Sequence, residues 1–289
     1  MKKYHSIGEL LLDYRTFNSI SQAEMALLLN VDARSISRWE NAEALVRTDK
    51  EEALVKKLNI PHQVVHNLNS EHPIPIFYDL KTRTYSLTKV MTRRPNTSWY
   101  KADLPVENER LHPISNDSDI EFVNTIQLLS KNDKLIRPEV IKTAAVLLPE
   151  LNLVLYDHSG FYAGHISVLP LKTGIYQQIR NKEITEDKLK PGHLAKRISG
   201  TRIFYFYSMY ADNLDHSYYL INTLLGYFKK EKFTDYRFAG ITFKQNKVEL
   251  LQEMGLQIIW TDEHYAGSDA RATLLEGNFD MFLFGKMQG

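Results

Sequence analysis

The chain has 289 residues, a formal net charge of +1, 43% hydrophobic and 25% charged residues, and no cysteine. That length accommodates two domains, and the composition is that of a folded chain rather than a disordered one. A near-zero charge excludes a polycation held to nucleic acid by bulk attraction. The missing cysteines exclude disulfides, thiolate metal sites and cysteine nucleophiles. No apolar run reaches the roughly 18 residues of a membrane span, and none follows Lys2 and Lys3 to make a secretory signal, so a cytoplasmic protein is expected.

Residues 1–68 read as helices. Ser6 caps a helix through Ile7, Leu10, Leu11 and Tyr14. Ser21-Gln22-Ala23-Glu24 is a capping box, in which Glu24 reaches back to the Ser21 amide, and Met25, Leu28 and Leu29 follow on one face. Asn30 and Val31 break the pattern. Asp32 then caps a third short helix, with Ile36 and Trp39 facing inward and Arg34, Ser35, Ser37 and Arg38 outward. A further helix spans about Asp49 to Leu58, and another starts at Pro61, which suits a first helical turn. Residues 69–115 form a linker: NLNSEHPIP is rich in turn formers, IPIFYDLKTRTYSLT alternates as a β-hairpin, and Arg93 to Pro113 is polar and irregular. The basic run at 81–94 reads as a solvated hairpin, with contact to DNA flanks as the competing reading.

From residue 116 the pattern changes. DIEFVNTIQLLSKN and a segment opening at Pro138 are helical, and LNLVLYD and GFYAGHISVLPL are strands joined through His158-Ser159-Gly160. A helical stretch follows between Gly174 and Leu189, and TRIFYFYSMYA is an aromatic strand. HSYYLINTLLGYFKKE (helix), YRFAGITF (strand), KVELLQEMG (helix), LQIIWT (strand) and NFDMFLFGK (strand) complete a mixed α/β sheet packed by helices.

The spacing over 20–42 makes two short helices joined by a tight turn. The second of such a pair can enter the major groove, whose width admits one helix. Arginine bonds guanine O6 and N7 in a fork or pairs with phosphate, and small serines permit close approach. The segment resembles the helix-turn-helix of phage-repressor-like regulators, the XRE type, whose pattern runs Gln-x-x-x-Ala, Val-Ser, then Ile-Ser-x-Trp-Glu-x-Gly. Gln22, Ala26, Val31, Ile36, Ser37, Trp39 and Glu40 match; Asp32 replaces the usual cap, and Asn41 is taken to stand at the glycine, as a residue that tolerates a left-handed turn. The resemblance implies a lambda-repressor-like, all-α domain with Gln22, Arg34, Ser35, Ser37, Arg38 and Asn41 facing double-stranded DNA, bound as a homodimer. Trp39 and Ile36 read as core and Glu40 as structural; a solvated face is the competing reading of Arg34 and Arg38. Residues 1–66 hold nine Lys or Arg and nine Asp or Glu, so electrostatic affinity should be modest.

YAGHISVLPL and QEMGLQII resemble strands of the GCN5-related N-acetyltransferases, which implies a GNAT-like α/β (α+β) domain of the acyl-CoA N-acyltransferase type over 116–289. Such enzymes hold a coenzyme A pyrophosphate on a glycine loop at a helix N-terminus. The equivalent DNLDHSYYLINTLL has no glycine: His216 falls at the basic position, Tyr219 and Ile221 at the glycines, and Asp212 and Asp215 would repel a diphosphate. Leu251 stands where the family often has a tyrosine acid. These departures argue against acetyl-CoA as a cofactor and against catalysis, so no catalytic residue is named. The scattered histidines have no metal spacing. Tyr205, Tyr207 and Met209, with His216, are candidates for lining a ligand pocket, with core packing as the alternative. The expected function is that of a DNA-binding transcriptional regulator whose acetyltransferase-like domain senses a small-molecule effector or mediates oligomerisation. The alternative is an active acyl-CoA-dependent N-acetyltransferase carrying a DNA-binding domain.

Overall fold

The computed structural model describes residues 2–81, 83–86, 110–130, 134–195, 202–230, 236–253, 255–262 and 271–278. The chain forms two compact units, Met1–Lys101 with Ala211–Ser217, and Ala102–Tyr210 with Tyr218–Gly289.

Among the described residues, the first unit holds five whole helices: α1 (Ile7–Phe17), α2 (Gln22–Leu29), α3 (Ala33–Glu40), α4 (Thr48–Leu58) and α5 (His62–Leu68). Their starts are written in short polar side chains. Ser6, Ser21 and Asp32 each accept a hydrogen bond from the backbone amide three residues on, and Ser21 with Glu24 closes a full capping box. Leu10, Leu11, Met25, Leu29, Ile36, Trp39, Leu54 and Leu58 make the core. A Cβ at Gly8 would sit 2.1 Å from the Trp39 carbonyl oxygen, so only glycine lets α1 approach the end of α3.

The bundle is closed by strands. β1 (Lys2–Tyr4) pairs antiparallel with β2 (Ile76–Asp79), which pairs antiparallel with β3 (Thr84–Ser86). The hairpin expected in the linker is thus the lid of the helical bundle. Arg83, at φ 57°, turns it and buries its guanidinium 5.2 Å from the Tyr14 ring centroid. Burial pushes the Tyr78 phenol up to about 12 in spite of that guanidinium. Asn69 holds the loop after α3: it bonds both the amide and the carbonyl of Val46 at 2.8 Å, and Glu51 at 2.6 Å.

The second unit is built on a seven-stranded sheet in the order β4-β5-β6-β7-β8-β10-β9. The strands are β4 (Leu111–Pro113), β5 (Asn152–Tyr156), β6 (Tyr162–Leu171), β7 (Arg202–Ala211), β8 (Tyr236–Thr242), β9 (Gln257–Thr261) and β10 (Thr273–Asn278). The helices are α6 (Asp117–Leu129), α7 (Pro138–Leu147), α8 (Thr173–Arg180), α9 (Leu214–Lys230) and α10 (Gln245–Glu253). Odd positions of β7 (Ile203, Tyr205, Tyr207) join a core with Val123 of α6, Val140 and Ala144 of α7 and Tyr176 of α8. On the other face Phe204 packs edge-on against Phe228 of α9, with Phe238 of β8 beside both, while Val248 of α10 meets Leu275 of β10. Helices therefore cover both faces of the sheet, as its period-two alternation requires.

The expected fold, an all-α lambda-repressor-like domain followed by a GNAT-like α/β domain of the acyl-CoA N-acyltransferase type, is corrected on both counts. The first unit is not all-α, because its helices are closed by a three-stranded sheet whose members come from both ends of the unit. The second is a large mixed sheet: among the described pairs only β7 and β8 run parallel, over Arg202–Tyr205 against Tyr236–Ala239, and the rest are antiparallel. The acetyltransferase-like assignment of 116–289 is set aside in favour of that architecture. The helix expected from Gly174 to Leu189 stops at Arg180, where Asn181 caps it and Lys182 turns left-handed at φ 61°. The closing strand NFDMFLFGK lies outside the described residues after Asn278. Among the described residues no helix is long and apolar enough to cross a membrane.

Candidate nucleic-acid interface

α2 ends at Asn30, which adopts the left-handed conformation at φ 53°, and α3 begins at Ala33, so three residues join the two helices. The Lys50 ammonium donates to the Asn30 carbonyl at 3.1 Å, which adds a cation to the end of α2 where carbonyls are exposed. α3 is strongly two-sided. Ile36 and Trp39 are buried, and Arg34 and Arg38 are exposed one helical turn apart.

A carboxylate sets the pose of α3. Glu40, with only 4% of its side chain exposed, accepts from Arg15 Nε at 2.8 Å, Arg15 Nη2 at 3.1 Å and Gln22 Nε2 at 2.7 Å. The same guanidinium donates from Nη1 to the Ile20 carbonyl at 3.3 Å. One buried anion thus ties α1, the loop before α2, α2 itself and α3. The sequence points to a structural Glu40 paired with a basic side chain; that the cation is Arg15, 25 positions away, and that Gln22 joins it, no pattern in the sequence shows.

The expected DNA-facing residues divide into two groups. Arg34, Ser37 and Arg38 share the outer part of α3, with Ser37 half-buried. Gln22 braces α3 through Glu40. Ser35 is spent on the helix start: its amide donates to Asp32 Oδ1 at 2.9 Å and its hydroxyl to Asp32 Oδ2 at 3.1 Å, and these bonds hold the Asp32 carboxyl below its ordinary range. Asn41 is the C-cap at φ −85°, not a left-handed residue. The left-handed position is Ala42, at φ 56°. Counting from Ile36 in the Ile-Ser-x-Trp-Glu-x-Gly pattern also puts the glycine at 42, so the expectation at Asn41 is corrected by one residue. Ala42 N bonds the Trp39 carbonyl at 3.1 Å and Glu43 N the Arg38 carbonyl at 2.9 Å, the two bonds of a Schellman ending.

Of the candidate ligand-pocket residues, Tyr205 and Tyr207 share the core of the second unit. The Tyr205 and Tyr207 side chains are in the core, 0% and 2% exposed, with committed hydroxyls. Tyr205 donates to the buried Glu186 at 2.7 Å; Tyr207 donates to Asn124 at 3.1 Å and accepts from the Ile136 amide at 3.2 Å. Met209 is half-buried in β7. His216 belongs to the Ala211–Ser217 segment of the first unit, where its Nδ1 lies 2.5 Å from Asp212 Oδ1 and its amide donates to Asn213 Oδ1 at 2.9 Å. In the same segment, the Tyr85 amide of β3 donates to the Asp212 carbonyl at 3.2 Å.

The second unit also holds a buried imidazole, one of the scattered histidines without metal spacing. His165 on β6 has the Tyr162 hydroxyl 2.5 Å from Nδ1 and the Ser208 hydroxyl 2.6 Å from Nε2. Burial, and then the charge of Lys247, lower it to about 3, so the ring is neutral at physiological pH. Among the described residues no group of His, Asp and Glu is arranged to hold a metal ion.

No protein-family model and no curated protein matches the chain. Among solved structures it is similar to one described as "C-terminal condensation domain of Ebony in complex with beta-alanyl-dopamine", at 11% identity over 69% of this chain and 91% of that one, with a TM-score of 0.30.

Proposed function

We propose that the chain is a sequence-specific DNA-binding regulator of the cytoplasm, in which α3 lies in the major groove of a duplex and the second unit acts as an attached controller. The observation that carries this reading is the construction of α3: two exposed arginines one turn apart, on a helix whose opposite face is buried and whose pose is locked by the Glu40 carboxylate. An Arg at the second position of such a helix is placed for base edges, and one near its end for bases or phosphate. Gln22 supports this as a brace rather than as a direct contact. Because the first 66 residues carry balanced charge, the non-specific electrostatic term is small, and a homodimer placing two copies of α3 one helical turn of DNA apart supplies the rest. A small-molecule effector acting on the second unit would shift affinity by favouring one arrangement of the two recognition helices.

The test is selection of bound sequences from random duplex DNA by the full chain, followed by gel shift on the motif obtained. Arg34→Ala with Arg38→Ala should cost several kcal/mol if both make forked base contacts, at about 1–3 kcal/mol each. A motif with two-fold symmetry gives the dimer. Failure to enrich any motif, or an unchanged affinity in the double variant with its fold intact by circular dichroism, overturns the reading.

A further inference from the structure

The second unit carries a cluster of cations around the loop after α8. Arg137 is the N-cap residue of α7 and Lys172 that of α8, and Lys190 and His193 lie in the loop after α8. That loop is held by bonds from these same residues. Arg137 Nη2 donates to the Leu189 carbonyl at 3.0 Å, Lys172 Nζ to the Gly192 carbonyl at 2.6 Å, the Lys172 amide to the His193 carbonyl at 3.1 Å, and the Lys190 amide to His193 Nδ1 at 3.3 Å. Arg137, Lys172 and Lys190 are exposed and His193 is half-buried. Three stretches distant in sequence therefore gather three cations around one imidazole. Two carboxylates nearby are engaged at the margin: Glu139 pairs with Arg137 at 3.3 Å, and Asp187 with Lys188 at 2.8 Å.

Gathered cations repel one another, and His193 registers it: partial burial, then Lys190, Lys172 and Arg137, lower its affinity for a proton. Each tie to a loop carbonyl uses one donor, while an ammonium has three and a guanidinium five. The side chains are thus pinned, with much of their ordering cost met on folding, and still hold donors for a partner. A compact oxyanion with several negative charges accepts such bonds from several directions at once.

We propose that Arg137, Lys172, Lys190 and His193 form a binding site for a phosphate group carrying two or more negative charges. An arriving anion offsets the three cationic neighbours of His193, though not its burial, so proton uptake by the ring is favoured on binding and affinity rises as pH falls.

Isothermal titration of the full chain with inorganic pyrophosphate at low ionic strength tests the site. A parallel titration with adenosine diphosphate distinguishes a free anion from one carried on a nucleotide. Tighter binding of the nucleotide assigns the latter source, equal or weaker binding the former, and both support the site. Lys172→Ala with Lys190→Ala should raise the Kd more than about tenfold. Lys190→Glu, which leaves the backbone bonds of the loop in place, should abolish binding. Titration with sulfate, whose own charge is constant between pH 6 and pH 8, should be several-fold tighter at the lower pH, and His193→Gln should bind without that dependence. Absence of heat with pyrophosphate and the diphosphate alike, or a Lys190→Glu variant that binds as the parent does, removes the site.

Discussion

Ala42 occupies a conformation that suits glycine. The Schellman ending of α3 requires φ near +56° there, and a Cβ in that region costs about 1 kcal/mol. Ala42 is exposed, so removing its methyl loses no packing. Ala42→Gly should therefore stabilise the chain, by up to about 0.5 kcal/mol after the greater freedom of glycine in the unfolded state is counted, read as a shift of the urea midpoint at constant slope. His165 makes the opposite kind of prediction. Native His165 stays neutral down to about pH 3, whereas the same residue in the unfolded chain takes up a proton near 6.5. Stability held above 6.5 is then lost as pH falls toward 3, by about 2 kcal/mol between pH 7 and pH 5. His165→Gln lowers stability at pH 7 through its lost bonds but should flatten the slope between pH 7 and pH 5; an unchanged slope would place the proton uptake elsewhere.

Elements set by their own few residues were legible in the sequence, and elements set by distant partners were not. Helices α1 to α3 begin where Ser6, Ser21 and Asp32 place them, because a cap acts over three residues. The three-residue strands β1 and β4 carry no pattern of their own; Lys2 to Tyr4 is a strand because Ile76 to Tyr78 lies beside it. Arg34 and Arg38 could be read as outward-facing from the helical period alone, while the commitment of Gln22 to Glu40 and of the Tyr205 hydroxyl to Glu186 depends on residues the period does not relate. The loop that follows α3 behaves in the same way. Its conformation rests on Asn69, whose amide replaces a strand partner for Val46. Asn69→Ala removes three hydrogen bonds and leaves the buried Val46 amide without its acceptor, so a loss of about 2–3 kcal/mol is expected by chemical denaturation.

At the scale of the molecule, the chain passes through the first unit twice, since Ala211–Ser217, which runs from the end of β7 into the first turn of α9, groups with residues 1–101. A fragment ending at Lys101 therefore lacks the Asp212 carbonyl that accepts from Tyr85 and the Asn213 amide that reaches its hydroxyl at 3.3 Å. Such a fragment should unfold at a lower urea concentration than the same unit within the full chain, and hydrogen exchange at the Tyr85 amide should be faster in the fragment; equal protection in both would deny the segment any stabilising role.

That return also has a consequence for how the protein is made. Synthesis adds roughly 5–20 residues per second, so the stretch between Lys101 and Ser217 emerges over roughly ten seconds. During that interval the five helices can assemble on the ribosome, but β3 waits with an open margin for a backbone partner not yet translated. Completion of the amino-terminal unit is thereby timed by the elongation of the carboxy-terminal one, and a nascent chain arrested before residue 212 would present an unfinished first unit.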